Sequence, residues 1–264
     1  MISSIFHPGS GTGDQLFRYI TARTLALDKG LEFGMVCPEN FKGKDFIKID
    51  YGVQDPFETR TEMPSGKVII TGINPDISEW VKIEPIKLWE EKTLYYNPEI
   101  NFVEDGIIDG NFQDERYWGH RLGEIREWLK VEPLEMPDDL CVINFRGGEF
   151  ATVPELFLPI EYWYKAIDML ADKYNGNIKF EVHTDDEGLA KQFFPTFKAI
   201  HNVGLNWRSI RYAKHLVLAN SAFGIIPALL NENVKEVIAP RYWARRNIQQ
   251  WHLPQNYYKK FTYI

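Results

Sequence analysis

Read for spacing alone, the chain divides into short apolar runs and longer amphipathic stretches. Ile2 to Phe6 is an apolar run of strand length, followed by the turn Pro8-Gly9-Ser10-Gly11-Thr12-Gly13. Leu16, Phe17, Ile20, Thr24 and Leu27 then recur near helical spacing as far as Gly30, a residue suited to stop a helix. Val68 to Thr71 and Ile107 to Asp109 read as short buried strands, and Asp114 to Lys130 as a helix. Glu132 to Asp139 is polar with two prolines and reads as a linker. Beyond it the alternation is clean. Leu140 to Phe145 is a strand, and Ile160, Trp163, Ile167, Leu170 and Tyr174 mark one helix face. Ile178, Phe180 and Val182 alternate as a strand, and Gly188 to Phe194 is helical. Leu216 to Ala219 is a buried strand, Phe223 to Leu230 a helix and Val237 to Ala239 a strand. Strands alternating with helices predict βαβ units, hence an α/β fold with a parallel sheet. The linker divides the chain into a domain over 1–135 and a second over 136–264.

In such sheets ligands sit beyond the carboxyl ends of the strands. Three polar clusters fall there: Phe145-Arg146-Gly147-Gly148, His183-Thr184-Asp185-Asp186 and Asn220-Ser221-Ala222-Phe223. Arginine suits bidentate phosphate recognition, and the glycines let backbone approach a ligand. Asn220 and Ser221 precede a helix whose free N–H groups favour an anion. Asp185 is placed to accept hydrogen bonds from a base or a ribose. Together these residues suggest a nucleoside diphosphate. Each has a structural alternative: a surface ion pair for Arg146, an N-cap for Ser221, helix-start acids for Asp185 and Asp186. The turn Gly9 to Asp14 does not fit G-x-G-x-x-G, which leaves a nicotinamide oxidoreductase with little support.

Composition narrows the classes. The 264 residues carry a net charge of −7, which argues against a protein that coats duplex nucleic acid. Cys37 and Cys141 cannot build a disulfide framework and fit a reducing, cytoplasmic setting. No apolar stretch reaches the length of a membrane span, and no signal peptide is evident. The marks of Walker-type NTPases, zinc sites and G-x-S-x-G hydrolases are missing. His183, His201 and His215 lack further ligands at fixed spacing and read as structural. The charge is uneven: Val237 to Ile264 holds five cations and no acid, which leaves −12 on the remaining residues.

Seven segments, in order, resemble the family 11 glycosyltransferases, the α-1,2-fucosyltransferases. Gly11-Thr-Gly-Asp-Gln-Leu-Phe-Arg-Tyr19 is similar to their G-x-G-N-Q-[ML]-F-Q-Y opening, and Asp109 to Tyr117 to their G-[YF]-[FW]-Q-S-E-K-Y segment. Asn144-Phe-Arg-Gly-Gly-Glu-Phe150 resembles H-[IV]-R-R-G-D-Y, and Pro159 to Ile167 resembles L-x-x-x-Y-Y-x-x-A-I. Thr184-Asp-Asp186 resembles S-D-D, Lys214 to Phe223 resembles K-H-x-I-x-A-N-S-[ST]-F, and Ile238 to Trp243 resembles I-A-P-x-x-W.

The resemblance implies a GT-B-like fold of two Rossmann-like halves with a cleft between them, the first half taking the acceptor and the second the donor. It implies inverting transfer of fucose from GDP-fucose to a glycan hydroxyl, with no required metal or other cofactor. On it, Arg146 holds the donor diphosphate and Asp185 the nucleoside. Ser221 and Phe223 line the phosphates, with Gly11, Gly13, Asn144 and Asn220 completing the donor set. The chain departs from the pattern where Gly147 replaces the second arginine, Asn144 the histidine, and Gly224-Ile225-Ile226 the S-W-W segment. Asp14 replaces an asparagine and is a candidate base for the acceptor hydroxyl, with an N-cap as its structural alternative. The departures leave a second reading open: a relative that binds a glycan or GDP-sugar without fucosyl transfer. The acceptor site is not readable; Trp80, Trp89, Trp118, Trp207, Tyr242, Trp243 and Trp251 are aromatic candidates, most of them expected in the core. The basic aromatic tail from Arg241 is expected to cross back onto the first half, with its cations near the cleft or against an anionic surface, or else to form a solvated amphipathic end.

Overall fold

Two parallel sheets organise the chain. The structure is a computed structural model that describes residues 1–53, 88–90, 96–249 and 258–264. The predicted strand Val68–Thr71, together with Trp80, Trp251 and Tyr257 and the side chain of Trp89, lies outside them. One unit comprises Met1–Lys44 and Lys48–Leu129, the other Asp45–Ile47 and Lys130–Ile264. No helix or strand occurs between Lys130 and Asp139.

In the first unit β1 (Ile2–Ile5), β2 (Phe33–Val36), β3 (Leu88–Glu90) and β4 (Gly106–Asp109) form a sheet of order β2-β1-β4-β3. Every neighbouring pair is parallel. All four residues of β1 are buried, as a central strand of a parallel sheet requires. Helix α1 (Thr12–Asp28) returns the chain from β1 to β2. Gly30 ends it as expected: at φ +64° it lets Leu31 N–H reach Ala26 O (2.8 Å) and its own N–H reach Leu27 O (3.2 Å). The helix predicted over Asp114–Lys130 is shorter than expected. Tight turns at Glu115–Tyr117 and Gly119–Arg121 precede α2 (Leu122–Trp128). Asp114 caps the first turn by accepting from Arg116 N–H, and Trp118, at φ −144°, interrupts the helical path.

The second unit contains β5 (Leu140–Phe145), α3 (Ile160–Lys173), β6 (Lys179–Thr184), α4 (Glu187–Phe193), β7 (Lys198–Ile200) and α5 (Val203–Tyr212). It continues with β8 (His215–Leu218), α6 (Ala222–Leu230), β9 (Glu236–Ala239) and β10 (Thr262–Tyr263). The strands are parallel in the order β7-β6-β5-β8-β9-β10. Numbered from β5, this is the 3-2-1-4-5-6 order of a Rossmann sheet, with its reversal between β5 and β8. Cys141, Ile143 and Phe145 of β5 pack with Trp163, Ile167 and Leu170 of α3 and with Val182, Val217 and Ile238. Tyr162 Oη donates to Leu218 O (2.6 Å), pinning α3 to the end of β8. The predicted α/β class and the predicted parallel alternation both hold.

The tail takes another course than expected. Its described end stays with the second unit, because Thr262–Tyr263 pair with Ile238–Ala239 as the sixth strand. Tyr258 and Phe261 are buried, and Lys260 Nζ donates to Ala228 O, Leu229 O and Asn231 O at the carboxyl end of α6. A cation there meets both the free carbonyls and the negative end of the helix dipole.

Candidate functional site

The reversal point of the second sheet collects the predicted residues. Asn144 lies opposite Leu218 in the β5–β8 register and opposite His183 in the β5–β6 register. The residues just beyond, Arg146, Asp185 and Asn220, therefore leave three adjacent strands at one edge. Arg146 Nη1 stands 3.2 Å from Asp185 Oδ2, its Nη2 3.5 Å from Glu149 Oε1, and its guanidinium 5.0 Å from the centre of the Phe150 ring. Its Nε–H is buried without a hydrogen-bond partner. Asp185 Oδ1 accepts from Gly147 N–H (2.8 Å), so this carboxylate fastens the turn after β5 from both sides. Asp186, by contrast, is the N-cap of α4 and accepts from Leu189 N–H (2.9 Å), its structural alternative.

Three glycines around the site are held by close packing. A Cβ at Gly147 would lie 2.9 Å from Asp186 Cβ and 3.2 Å from Leu189 Cδ2, so no arginine fits there as the turn stands. A Cβ at Gly148 would lie 2.6 Å from Asp185 Oδ2. Gly224 is likewise fixed by Asn144, whose Oδ1 would be 2.5 Å from a Cβ. That Oδ1 is buried and has no hydrogen-bond partner.

At the start of α6, Ser221 occupies the N-cap position, yet its side chain makes no capping bond. Asn220 donates from Nδ2 to Leu156 O and Trp243 O, tying the loops after β5 and β9 together, and its buried Oδ1 is left without a partner. Phe223 turns its ring to Trp207, edge-on at 5.4 Å. Trp207 and Trp118 are core residues, with Trp118 Nε1 donating to Phe112 O (2.9 Å). His183 is buried between Asn206 Oδ1 and Glu181 Oε1, both at 2.9 Å. Burial pulls its pKa down against the pull of those two acceptors, and burial does the same to His215. Both are structural, as expected.

The remaining predicted residues, Gly11, Gly13 and Asp14, belong to the first unit. Gly11 is the N-cap of α1, so Asp14 is not. Asp14 is the third residue of the helix; its Oδ2 would be 3.5 Å from a Cβ at Gly11, and its Oδ1 accepts from Gln113 Nε2 (3.4 Å).

Here the structure adds a pair that the sequence reading missed. His7 follows β1, and Asp109 ends β4, its neighbour in the sheet. His7 Nε2 lies 2.9 Å from Asp109 Oδ2, and Arg18 Nε donates to Asp109 Oδ1 (2.9 Å). Arg18 Nη1 reaches Ser10 Oγ and Asp14 O, both at 3.4 Å. Gln15 Nε2 donates to His7 O (3.1 Å). Burial opposes the Asp109 charge, but the His7 and Arg18 contacts outweigh it and hold the carboxyl below the usual range. His7 Nδ1 is buried with no hydrogen-bond partner. The strand-end rule applied to the second half would have found the pair had it been applied to β1 and β4. Among the described residues no group of three or more His, Cys, Asp or Glu is placed to hold a metal, and no helix is long and apolar enough to cross a membrane.

No family model matches the chain, and no curated protein does. Among solved structures, the Escherichia coli heptosyltransferase WaaC with ADP is similar, at 13% identity over 100% of this chain and 92% of that chain, with a TM-score of 0.48.

Proposed function

We propose that the chain is an inverting glycosyltransferase with a nucleoside-diphosphate sugar as donor. GDP-fucose is the donor implied by the resemblance, and a glycan hydroxyl the acceptor. The observation that carries this reading is the convergence of Arg146, Asp185, Asn220 and Ser221 where the Rossmann order of the second sheet reverses. Ligands of such sheets bind at that point. Arg146 brings charge and a free Nε–H. The uncapped start of α6 adds N–H groups and the positive end of the helix dipole.

On this reading Arg146 and the α6 amides hold the diphosphate and stabilise it as it leaves with the electrons of the glycosidic bond. The sugar carbon develops oxocarbenium character, and the acceptor oxygen attacks from the opposite face. Asp185 keeps Arg146 in place. Asn144 and Asn220 offer buried acceptor oxygens to donor hydroxyl or N–H groups. Asp14 is the carboxylate assigned as the base that takes the proton of the attacking hydroxyl.

A panel of nucleotide sugars read by nucleotide release, followed by an acceptor array with the best donor, tests the reaction. Arg146→Ala is expected to weaken GDP binding about 10- to 100-fold in calorimetry, as loss of a charged hydrogen-bonding group does, and to abolish turnover. Near-wild-type rates would remove the assignment. Asp14→Asn is expected to lower kcat about 10²–10⁴-fold, as loss of a general base does; full kcat would leave Asp14 a structural residue of α1. Binding of GDP and GDP-fucose without transfer across the array would favour the non-catalytic relative, a reading that Gly147 and Gly224 support by taking away family side chains.

A further inference from the structure

Three loops meet at the carboxyl edge of the second sheet, those that follow β5, β8 and β9, and all three belong to the second unit. Asn220, just before Ser221 and α6, donates from Nδ2 to Leu156 O in the first loop and to Trp243 O in the third. Arg245 N–H, also of the third, donates to Glu155 O in the first (2.7 Å). The segments around Leu156 and Trp243 are therefore clamped to the residue that opens α6. Arg246 comes next and begins the tight turn Arg246–Ile248. It lies three residues beyond Trp243, a span of at most about 11 Å.

We infer that Arg246 is a second cation of the donor site and pairs with the phosphates of the nucleotide sugar, an inference that rests on the donor reading above. An arginine on a surface turn ordinarily keeps its charged head in water. Here the side chain is partly buried, and Nη1 is out of water with no hydrogen-bond partner. Burial pulls the guanidinium below its usual value, and the charge of the exposed Glu155 pulls the other way without making up the difference. A cation that has lost water without gaining a counter-ion is costly, and an anion beside it removes that cost. Arg246 is partly exposed, so a phosphate can approach it with the turn as it stands.

The charge at the neighbouring strand end says why a second cation is needed. Arg146 stands between two carboxylates, Asp185 at 3.2 Å and Glu149 at 3.5 Å, so that corner is negative as a whole. A diphosphate placed there against Arg146 and the start of α6 would still meet uncompensated acid. Arg246 supplies the missing charge from the other side of Asn220. The uneven charge of the chain gains a cause as well. Of the five cations from Arg241 onward, Arg241, Arg245 and Lys259 are exposed, and Lys260 serves the carboxyl end of α6. That leaves Arg246 as the cation of this segment with a desolvated donor to spare. As the glycosidic bond breaks, its electron pair stays on the leaving phosphate, and Arg246 meets the charge that builds there.

The experiment is calorimetry with GDP, UDP and ADP on the full chain, using whichever the wild type binds most tightly. Arg246→Gln, Arg246→Lys and Arg245→Gln are then compared with it, and each thermal midpoint is measured without nucleotide. Arg246→Gln is expected to weaken nucleotide binding about 10- to 100-fold, as loss of a charged hydrogen-bonding group does. Arg246→Lys should recover part of the loss, and Arg245→Gln, which removes the same charge from an exposed position, should bind as the wild type does. Without nucleotide the midpoint of Arg246→Gln should hold or rise, because no partner of Nη1 is lost and a desolvated charge is removed. Wild-type binding by Arg246→Gln overturns the inference and leaves the donor reading standing. An equal fall in Arg245→Gln marks a general charge effect and overturns it, and so does a lowered midpoint in Arg246→Gln, which marks a structural role. If the wild type binds none of the three nucleotides, the donor reading fails and this inference falls with it.

Discussion

Arg146 shows how much of the site one residue can organise. Its guanidinium is held by Asp185, which also holds the amide of Gly147, so the arginine, the aspartate and the glycine turn are one object. Gly147 is itself fixed by packing, because the space a side chain would need there is filled by Asp186 and Leu189. Gly147→Arg is therefore expected to lower stability by roughly 1–3 kcal/mol, as overpacking does, and not to tighten GDP binding. Urea unfolding and calorimetry on the same variant check both. A tighter GDP complex at unchanged stability would show that the turn can open. Asp109 belongs at this scale too. Its folded pKa is depressed, so its contribution to stability is present above the unfolded carboxylate value of about 3.9 and is lost as pH falls through the lower folded value. Asp109→Asn should lose stability near neutrality and show a shallower decline below pH ~4, measured by denaturant unfolding across pH.

At the scale of elements, the second half was legible and the first only partly so. Strands and helices of the second half announce themselves because β5 and β8 are short and mostly apolar and α3 carries one clear apolar face. Elements that went unread are those whose pattern comes from tertiary partners. In β7 the burial of Ala199 and Ile200 is only partial, and α5 buries Asn206, Ser209 and Arg211 among its apolar residues. β10 is two residues long, so no periodicity can reveal it. The site followed the same rule. Arg146 and Ser221 stood in recognisable strings, whereas the His7–Asp109 contact joins residues 102 positions apart in the chain and appears only when β1 and β4 pair. Because β10 closes the second sheet, Phe261→Ala should cost roughly 3 kcal/mol, in the range for a buried phenylalanine, and truncation after Pro240 should cost more. Thermal unfolding checks both, and an unchanged midpoint for the truncated chain would show that the sheet does not need its sixth strand.

Two buried histidines make the fold sensitive to acid. His183 and His215 are buried and shifted down, chiefly by that burial. Unfolding lets each take up a proton that the folded state refuses, so stability should fall as pH drops below the unfolded histidine value of about 6.5. His183→Gln should flatten that part of the stability profile, and a wild-type profile level from pH 7 to ~5 would refute the assignment. The chain is also not cut into its two units at a single point. Asp45–Ile47 groups with the second unit, where Phe46 lies 5.9 Å from the Trp207 ring and its Cβ 3.0 Å from where a Cβ at Gly204 would be. Three residues from early in the chain are thus part of the wall around α5. Such a contact can form only after a long loop has closed, an entropy cost that slows folding. A fragment starting at Lys130 would lack this piece of its own core, so the second unit should fold well only when the early segment is supplied, in the same chain or as an added peptide.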